Sequence, residues 1–226
     1  MIKFDQVTKK FGKIIALNNA SFEIDSGEFV FITGPSGAGK TTITRLILKE
    51  FEPTSGKIKI NKQDLAKVPS KKVPELRRKI GVVFQDFKLL FDRTVFENVV
   101  LPLEVVGTDK KMIEKRANEI LRLVGLSNRV DLFPSQLAGG ELQRACLARA
   151  VIAEPKILLA DEPTGNLDPA TSWQIIKLMK KINKLGTTVV MATHNVDIVN
   201  SLRERVIKLG KGKVVKDQKE GKYETL

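Results

Sequence analysis

Short, dense apolar runs rich in β-branched residues punctuate this chain at 80–84, 157–160 and 187–192. Runs of that length and make-up predict strands of a buried parallel sheet. The first sixty residues alternate instead, at 2–7, 14–24 and, after the turn Pro53-Thr54-Ser55-Gly56, at 57–60. That alternation predicts antiparallel strands. Between Gln85 and Glu154 the apolar spacing becomes helical, predicting helices over 94–106, 109–124 and 139–153. This helical block interrupts the alternation of strand and helix, so it reads as a subdomain inserted in an α/β core. Strands return over 205–215, around Gly210-Lys211-Gly212.

One junction in this pattern carries chemistry. Residues 28–33 read as a strand and 42–50 as a helix, with Ile43, Leu46 and Ile47 at helical spacing. Between them stands Gly34-Pro35-Ser36-Gly37-Ala38-Gly39-Lys40-Thr41, followed by Thr42. Glycines let successive backbone N–H groups curl around a polyphosphate, and a helix N-terminus adds unpaired donors and a positive dipole end. Lys40 can then reach the β- and γ-phosphates, and the Thr41 hydroxyl can hold Mg²⁺. Glycine-x4-glycine-lysine-threonine between a strand and a helix implies a nucleoside triphosphate ligand.

Further residues fall where such a ligand needs them. The apolar run 157–160 ends in Asp161-Glu162. The first acid belongs near Mg²⁺, and the second can polarise an attacking water. His194, the one histidine of the chain, follows the run 187–193 at the carboxyl end, where open sheets place their ligands. Gln85 ends the strand 80–84, where a neutral amide can touch Mg²⁺ or the water without adding charge. In Ser135-Gln136-Leu137-Ala138-Gly139-Gly140-Glu141-Leu142-Gln143-Arg144, two glycines open a helix whose Leu142, Cys146 and Ile152 face inward. Exposed N–H groups there make a second anion site. With one phosphate loop and two phosphate-seeking helix starts, the second can serve a nucleotide held by another copy.

Composition narrows the setting. The chain has 226 residues, 42% hydrophobic and 29% charged, enough for a folded core and too apolar for a disordered one. No apolar run approaches the roughly 20 residues that cross a bilayer. Residues 1–6 lack the apolar stretch of a secretory signal, so a cytoplasmic protein is expected. The single cysteine, Cys146, reads as a packed core thiol. Lys and Arg number 39 against 26 Asp and Glu, a net charge of +13. The excess gathers at 62–79, with Lys67, Lys71, Lys72, Arg77 and Arg78, and at 203–219, with Arg205, Lys208, Lys211, Lys213 and Lys216. Nucleic acid, an anionic membrane surface, an acidic partner or plain solvent can face such runs. Aromatic residues are 6% and none interleave with them, so a single-strand stacking platform is not supported.

Taken in order, these motifs resemble the ATPase subunits of the ABC type over essentially the whole chain. The phosphate loop runs over 34–42, Gln85 is the Q-loop residue, and Leu137-Ala138-Gly139-Gly140-Glu141 is the signature. Asp161-Glu162 is the Walker B pair, Gly165-Asn166-Leu167-Asp168 the D-loop, whose Asp168 the resemblance places among the nucleotide-binding residues, and His194 the switch. Phe11 matches the aromatic that stacks on adenine, where the family usually has tyrosine. The resemblance implies one ABC ATPase domain over 1–226, with a RecA-like P-loop core plus antiparallel β subdomain at about 1–86 and 155–226. A helical subdomain would occupy about 87–154. It also implies a head-to-tail homodimer holding two ATP molecules, each between the phosphate loop of one copy and the signature of the other. Thr41, Gln85 and Asp161 would hold Mg²⁺, Glu162 would act as general base or position the water, and His194 would contact the γ-phosphate. Ala138 departs from the serine usual in the signature, which removes a hydroxyl donor to the partner's γ-phosphate.

A narrower likeness follows Gln85, through Asp86-Phe87-Lys88-Leu89-Leu90, Asp92-Arg93-Thr94-Val95 and Glu97-Asn98-Val99, with Thr164 before the D-loop. It resembles the branch of the family that serves bacterial cell division. That implies a peripheral place on the cytoplasmic face of the inner membrane and an integral membrane partner of the FtsX type. In that branch a groove beside the Q-loop receives a coupling helix. Phe87, Leu89, Leu90 and Phe91 would then line it or belong to the subdomain core. The ATPases of lipoprotein-releasing and macrolide-type exporters share the Thr-Gly-Asn-Leu-Asp segment. ABC heads of DNA-repair proteins carry long coiled-coil or zinc-bearing insertions that this chain lacks, so no specific nucleic acid is expected.

Overall fold

The computed structural model describes residues 1–221; residues 222–226, which the single-domain reading includes, lie outside the described residues. Strand β1 (Ile2–Phe11) is followed by β2 (Ile14–Ile24), β3 (Phe29–Thr33), helix α1 (Lys40–Ile47), β4 (Ser55–Ile60) and β5 (Gln63–Asp64). Then come α2 (Val73–Arg78), β6 (Ile80–Val83), α3 (Val95–Val105), α4 (Lys110–Leu123) and α5 (Gly139–Val151). The chain continues through β7 (Ile157–Asp161), α6 (Pro169–Lys184), β8 (Thr188–Ala192), α7 (Val196–Leu202), β9 (Arg205–Gly210) and β10 (Lys213–Gln218). The expected α/β class holds, with antiparallel strands first and a run of helices between β6 and β7.

Two compact units divide the chain. The first comprises Met1–Arg77 and the residues from Thr188 onward, the second Arg78–Thr187. In the first unit β1 lies between β2 and β4, antiparallel to both. Its fully buried Ile2, Phe4 and Val7 face a core completed by Leu17, Ile24 and Ile58. β1 runs four residues beyond its expected end because it bends at Gln6, which adopts a left-handed φ of 49°, and then resumes pairing. In the same unit β3 is fully buried and pairs in parallel with β8 on one side and β9 on the other. Such double coverage explains why 29–33 and 188–192 read as unbroken apolar runs.

In the second unit β6 and β7 pair in parallel, Ile80 opposite Ile157 and Val83 opposite Ala160. Helices α3, α4 and α5 pack around Val95, Val99, Ala117, Leu121, Ala145 and Leu147, all nearly inaccessible. A full capping box starts α3. The Thr94 hydroxyl accepts from the Glu97 N–H, and the Glu97 carboxylate accepts from the Thr94 N–H at 2.7 Å. Asn98 is fully buried and satisfied. Its carbonyl oxygen accepts from Leu90 N–H at 2.8 Å, and its amide donates to the carbonyls of Leu90, Arg93 and Thr94. This one side chain therefore sets the path of the loop between β6 and α3.

Candidate functional site

In the first unit the phosphate loop leaves the carboxyl end of β3, and His194 leaves the carboxyl end of the neighbouring β8. Ile32 and Ala192 are paired in the register, and Thr193 N–H donates to Ile32 O at 3.1 Å. Thr193 is buried, His194 is exposed, and Asn195 caps α7 through Ile198 N–H. The histidine thus stands at a rigid strand-to-helix corner beside the loop. Gly39, the residue before α1, has a φ of 105°. A Cβ there would lie 2.5 Å from Ala16 O and 2.8 Å from the Leu17 side chain, so only glycine fits. Pro35, Ser36, Gly37 and Thr41 are exposed, Thr42 is half-buried and Ala38 is buried. Lys40 Nζ donates to Gly34 O at 2.8 Å and to Pro35 O at 3.2 Å, which keeps the ammonium inside the loop. Helix α1 begins at Lys40, two residues earlier than the apolar spacing predicts, and ends at Ile47 before Lys49 turns left-handed.

Phe11 lies at the end of β1, 40% exposed, with its ring edge-on to Phe51 at 5.0 Å. Lys9 Nζ stands 4.9 Å from the Phe11 centroid and donates to Glu52 O. One part of the Phe11 ring is thus fixed by Phe51 while the remainder stays open to a flat partner.

The second unit gathers another set. Gln85 follows β6, and Asp161-Glu162 ends the adjacent parallel β7, so amide and carboxylates emerge from neighbouring carboxyl ends. Asp161 and Glu162 are half-buried, and Glu162 adopts a left-handed φ of 49° as the strand ends. Gln85 Nε2 donates to Asn166 Oδ1 at 3.3 Å, and Asn166 Nδ2 donates to Gln85 O at 3.2 Å. Asp168 caps α6 by accepting from Thr171 N–H at 3.0 Å; the Thr171 hydroxyl first and that backbone bond second hold its carboxyl below the usual carboxylate range. Its reading as a nucleotide-contacting residue therefore has a cap as its observed role.

Signature residues Ala138, Gly139, Gly140 and Glu141 form the start of α5. Ala138 and Gly139 are exposed, Gly140 and Glu141 half-buried. Glu141 accepts from Ala138 N–H at 3.0 Å and pairs with Arg129 Nε at 3.0 Å; the backbone bond first and the arginine second keep its carboxyl well below its ordinary pKa. Helix α5 buries Cys146 and Ile152 closes its end in the core, whereas Leu142 is only half-buried. Burial pushes the Cys146 thiol up to about 12.

Two sequence expectations divide under the structure. Of the residues after Gln85, Leu89 is buried, Phe87 half-buried, and Leu90 and Phe91 are 37% and 59% exposed, so core and surface share the segment. Within the same unit Arg78, Leu101, Val105, Val106, Met112 and Ala153 line an apolar groove of about 520 Å³. The basic runs are also partly structural. Arg205 makes a two-pronged pair with Asp217 and reaches Glu28, and Arg77 donates to the carbonyls of Leu48 and Lys49. Neither guanidinium is therefore surplus charge for an outside partner. Sequence reasoning missed Asn166 as Gln85's partner and Arg129 as Glu141's; both contacts join residues distant or unpatterned in the chain.

Among the described residues no three His, Cys, Asp or Glu side chains are grouped to hold a metal. Mg²⁺ needs no such cage, since it is commonly bound by one or two protein oxygens with phosphates and water completing the shell. Gln85 and Asp161, at neighbouring strand ends of the second unit, and Thr41, in the first, each carry a hard oxygen donor of that kind. With Gln85's NH₂ engaged by Asn166, its acceptor end is the end left for a cation or water. The donor chemistry of each residue fits the ion.

Strand-to-loop-to-helix phosphate binding, two acids closing a strand and a second glycine-led helix start define a P-loop nucleotide-binding protein. The chain belongs to the ABC transporter family, whose profile matches residues 17–165. It is 51% identical over 224 residues to the cell division ATP-binding protein FtsE of Bacillus subtilis (strain 168), covering 99% of this chain and 98% of the relative. With FtsE of Escherichia coli (strain K12) the identity is 44% over 213 residues, 94% of this chain and 96% of the relative. Among solved structures, the dimeric ATP-binding cassette MJ0796 in a post-hydrolysis state bound to ADP and Pi superposes with a TM-score of 0.88. It is 39% identical and spans 99% of this chain and 100% of its own. The chain is accordingly an ATP-binding, ATP-hydrolysing enzyme of the ABC type.

Proposed function

We propose that the chain is the ATPase of a membrane complex of the FtsEX kind, working as an ATP-dependent homodimer on the cytoplasmic face of the cell membrane to control cell-wall hydrolysis. The observation that carries this reading is the full-length identity to FtsE proteins of distant bacteria. The domain is taken as one ABC ATPase with its helical subdomain at about 87–154. The loop 34–42 cradles the triphosphate, Lys40 turns from Gly34 and Pro35 to the β- and γ-oxygens, and Phe11 stacks on adenine. Thr41, Gln85 and Asp161 would hold Mg²⁺, which would supply positive charge against the phosphates. Glu162 accepts a proton from, or aligns, the attacking water, and His194 donates to the γ-phosphate. The exposed N–H groups at Ala138–Glu141 meet the nucleotide of the second copy.

The membrane partner would lay a short helix beside the Q-loop, against the exposed Leu90 and Phe91, and along the apolar groove of Leu101, Val105 and Met112 in the same unit. Val105 is 62% exposed, an apolar cost that a docked helix removes. The test is co-purification with the integral membrane protein encoded beside it, comparing the parent chain with Val105→Glu. A four-span partner with one external domain, retained by the parent and lost by the variant, is the expected result. Failure of the parent to retain any such protein refutes the complex. Capture of an exporter subunit instead would move the chain to the transport branch.

A further inference from the structure

The turn after Gln85 is an unfavourable shape held from outside. Phe87 and Lys88 both adopt left-handed φ, 60° and 54°. For bulky residues such a conformation is costly and persists only where surroundings enforce it. Part of the enforcement is local, through the Lys88–Asp86 ion pair at 2.6 Å. The rest comes from two other segments of the same unit. From α5, Cys146 Sγ–H donates to Phe87 O at 3.0 Å and Arg149 Nη2 donates to the same oxygen at 3.2 Å. These two residues are three apart, hence on one face of the helix that begins at the signature glycines. The high pKa of the thiol keeps its proton in place as a donor, and the guanidinium is sunk far enough for burial to lower its own pKa. From the D-loop, Asn166 and Gln85 exchange the two amide bonds described above. The backbone of Gly165 backs the same carboxamide, since a Cβ at 165 would lie 3.0 Å from Gln85 Nε2.

We propose that Cys146, Arg149 and Asn166 are positioning residues that grip the Gln85 turn from the signature helix and from the D-loop, so that Gln85 takes its catalytic place only when both segments are in theirs. The proposal rests on the reading that Gln85 serves the bound metal or water. Two donors on one carbonyl make the grip stiff, and a shift of α5 along its axis would carry Phe87 with it and draw Gln85 away from Asn166. Signature engagement and metal positioning would thereby be one event rather than two.

The chain reports on this by itself, because Cys146 is its one thiol. Steady-state ATP hydrolysis and the labelling rate of Cys146 by an aromatic disulfide reagent are measured for the parent, Asn166→Ala, Arg149→Gln, Arg149→Lys and Gln85→Ala. We expect Asn166→Ala and Arg149→Gln to lower kcat about tenfold, as misplacement by a fraction of an ångström does, with KM for Mg-ATP held within about threefold. Arg149→Lys should recover most of the loss, and Arg149→Gln should label at least about tenfold faster as the carbonyl it capped is released. If Gln85→Ala loses activity while Asn166→Ala and Arg149→Gln keep the parental kcat, the positioning role is refuted alone. If Gln85→Ala is as active as the parent, the role of Gln85 falls and this proposal with it. Should Arg149→Gln fail to fold, the exposed Asn166 decides the matter by the same kcat criterion.

Discussion

Serine at 138 would act twice, and the two effects can be separated. In the free chain, Ala138 precedes α5 with extended backbone and no side-chain cap, while Glu141 already accepts from its N–H. Ala138→Ser supplies the missing half of a capping box, worth about 1 kcal/mol. For a chain of this length that raises Tm by about 2–4 °C. In the proposed dimer the same hydroxyl donates to the partner's γ-phosphate, a bond to a charged group worth about 1.5–3 kcal/mol at each of two sites. Two sites at the lower figure give about 3 kcal/mol, so the dimer dissociation constant should fall by about two orders of magnitude. Differential scanning calorimetry without nucleotide reads the first effect. Sedimentation of Glu162→Gln with and without Ala138→Ser, saturated with Mg-ATP, reads the second. A raised Tm with an unchanged dimer constant would refute the reasoning that the signature side chain faces the second nucleotide.

Gly39→Ala should weaken nucleotide binding by more than about tenfold in a fluorescent-nucleotide titration, because a left-handed φ of 105° and a 2.5 Å approach to Ala16 O both exclude a side chain. Binding at the parental affinity would show that the loop is looser than its packing indicates. Asn98→Ala strands the Leu90 N–H and three carbonyls, so chemical denaturation should report a loss of about 3 kcal/mol. For Glu141, a lowered folded-state pKa contributes stability that is present above its ordinary value and lost as pH falls through the lowered one. Glu141→Gln should therefore flatten the decline in stability between about pH 5 and pH 3 measured by urea unfolding; an unaltered slope would deny that carboxylate a structural role.

What could be read from residues alone follows from what makes periodicity visible. Strands β3, β7 and β8 are covered on both faces, so their runs are unbroken, and β2 alternates because one face is wet. Helix α6 escaped the apolar reading although Ile175, Ile176, Met179 and Ile182 are buried at helical spacing. Its start was in view, with Asp168 as cap and Pro169 as first residue. Treating Asp168 only as a nucleotide residue hid its capping role. Helix α7 is seven residues long and opens with Asn195, too short for a periodic signal. Gln85, Asp161, Glu162 and His194 stand out as candidates because each ends or follows an apolar run. The Gln85–Asn166 pair, 81 residues apart, and the grip of Cys146 and Arg149 on Phe87 belong to tertiary packing, where no local pattern speaks. Arg77 and Arg205 were charge in the sequence and became internal ties once carbonyls and carboxylates closed around them.

The central claim is that two copies close around ATP and separate once it is split. Multi-angle light scattering of Glu162→Gln, with its slowed hydrolysis, tests that most directly. The chain has a mass of 25.2 kDa. Saturating Mg-ATP should shift the eluting mass to roughly twice that value, and ADP should return it to a single copy. A variant that binds ATP fully yet elutes as one chain, alone and in the presence of its membrane partner, would contradict the account.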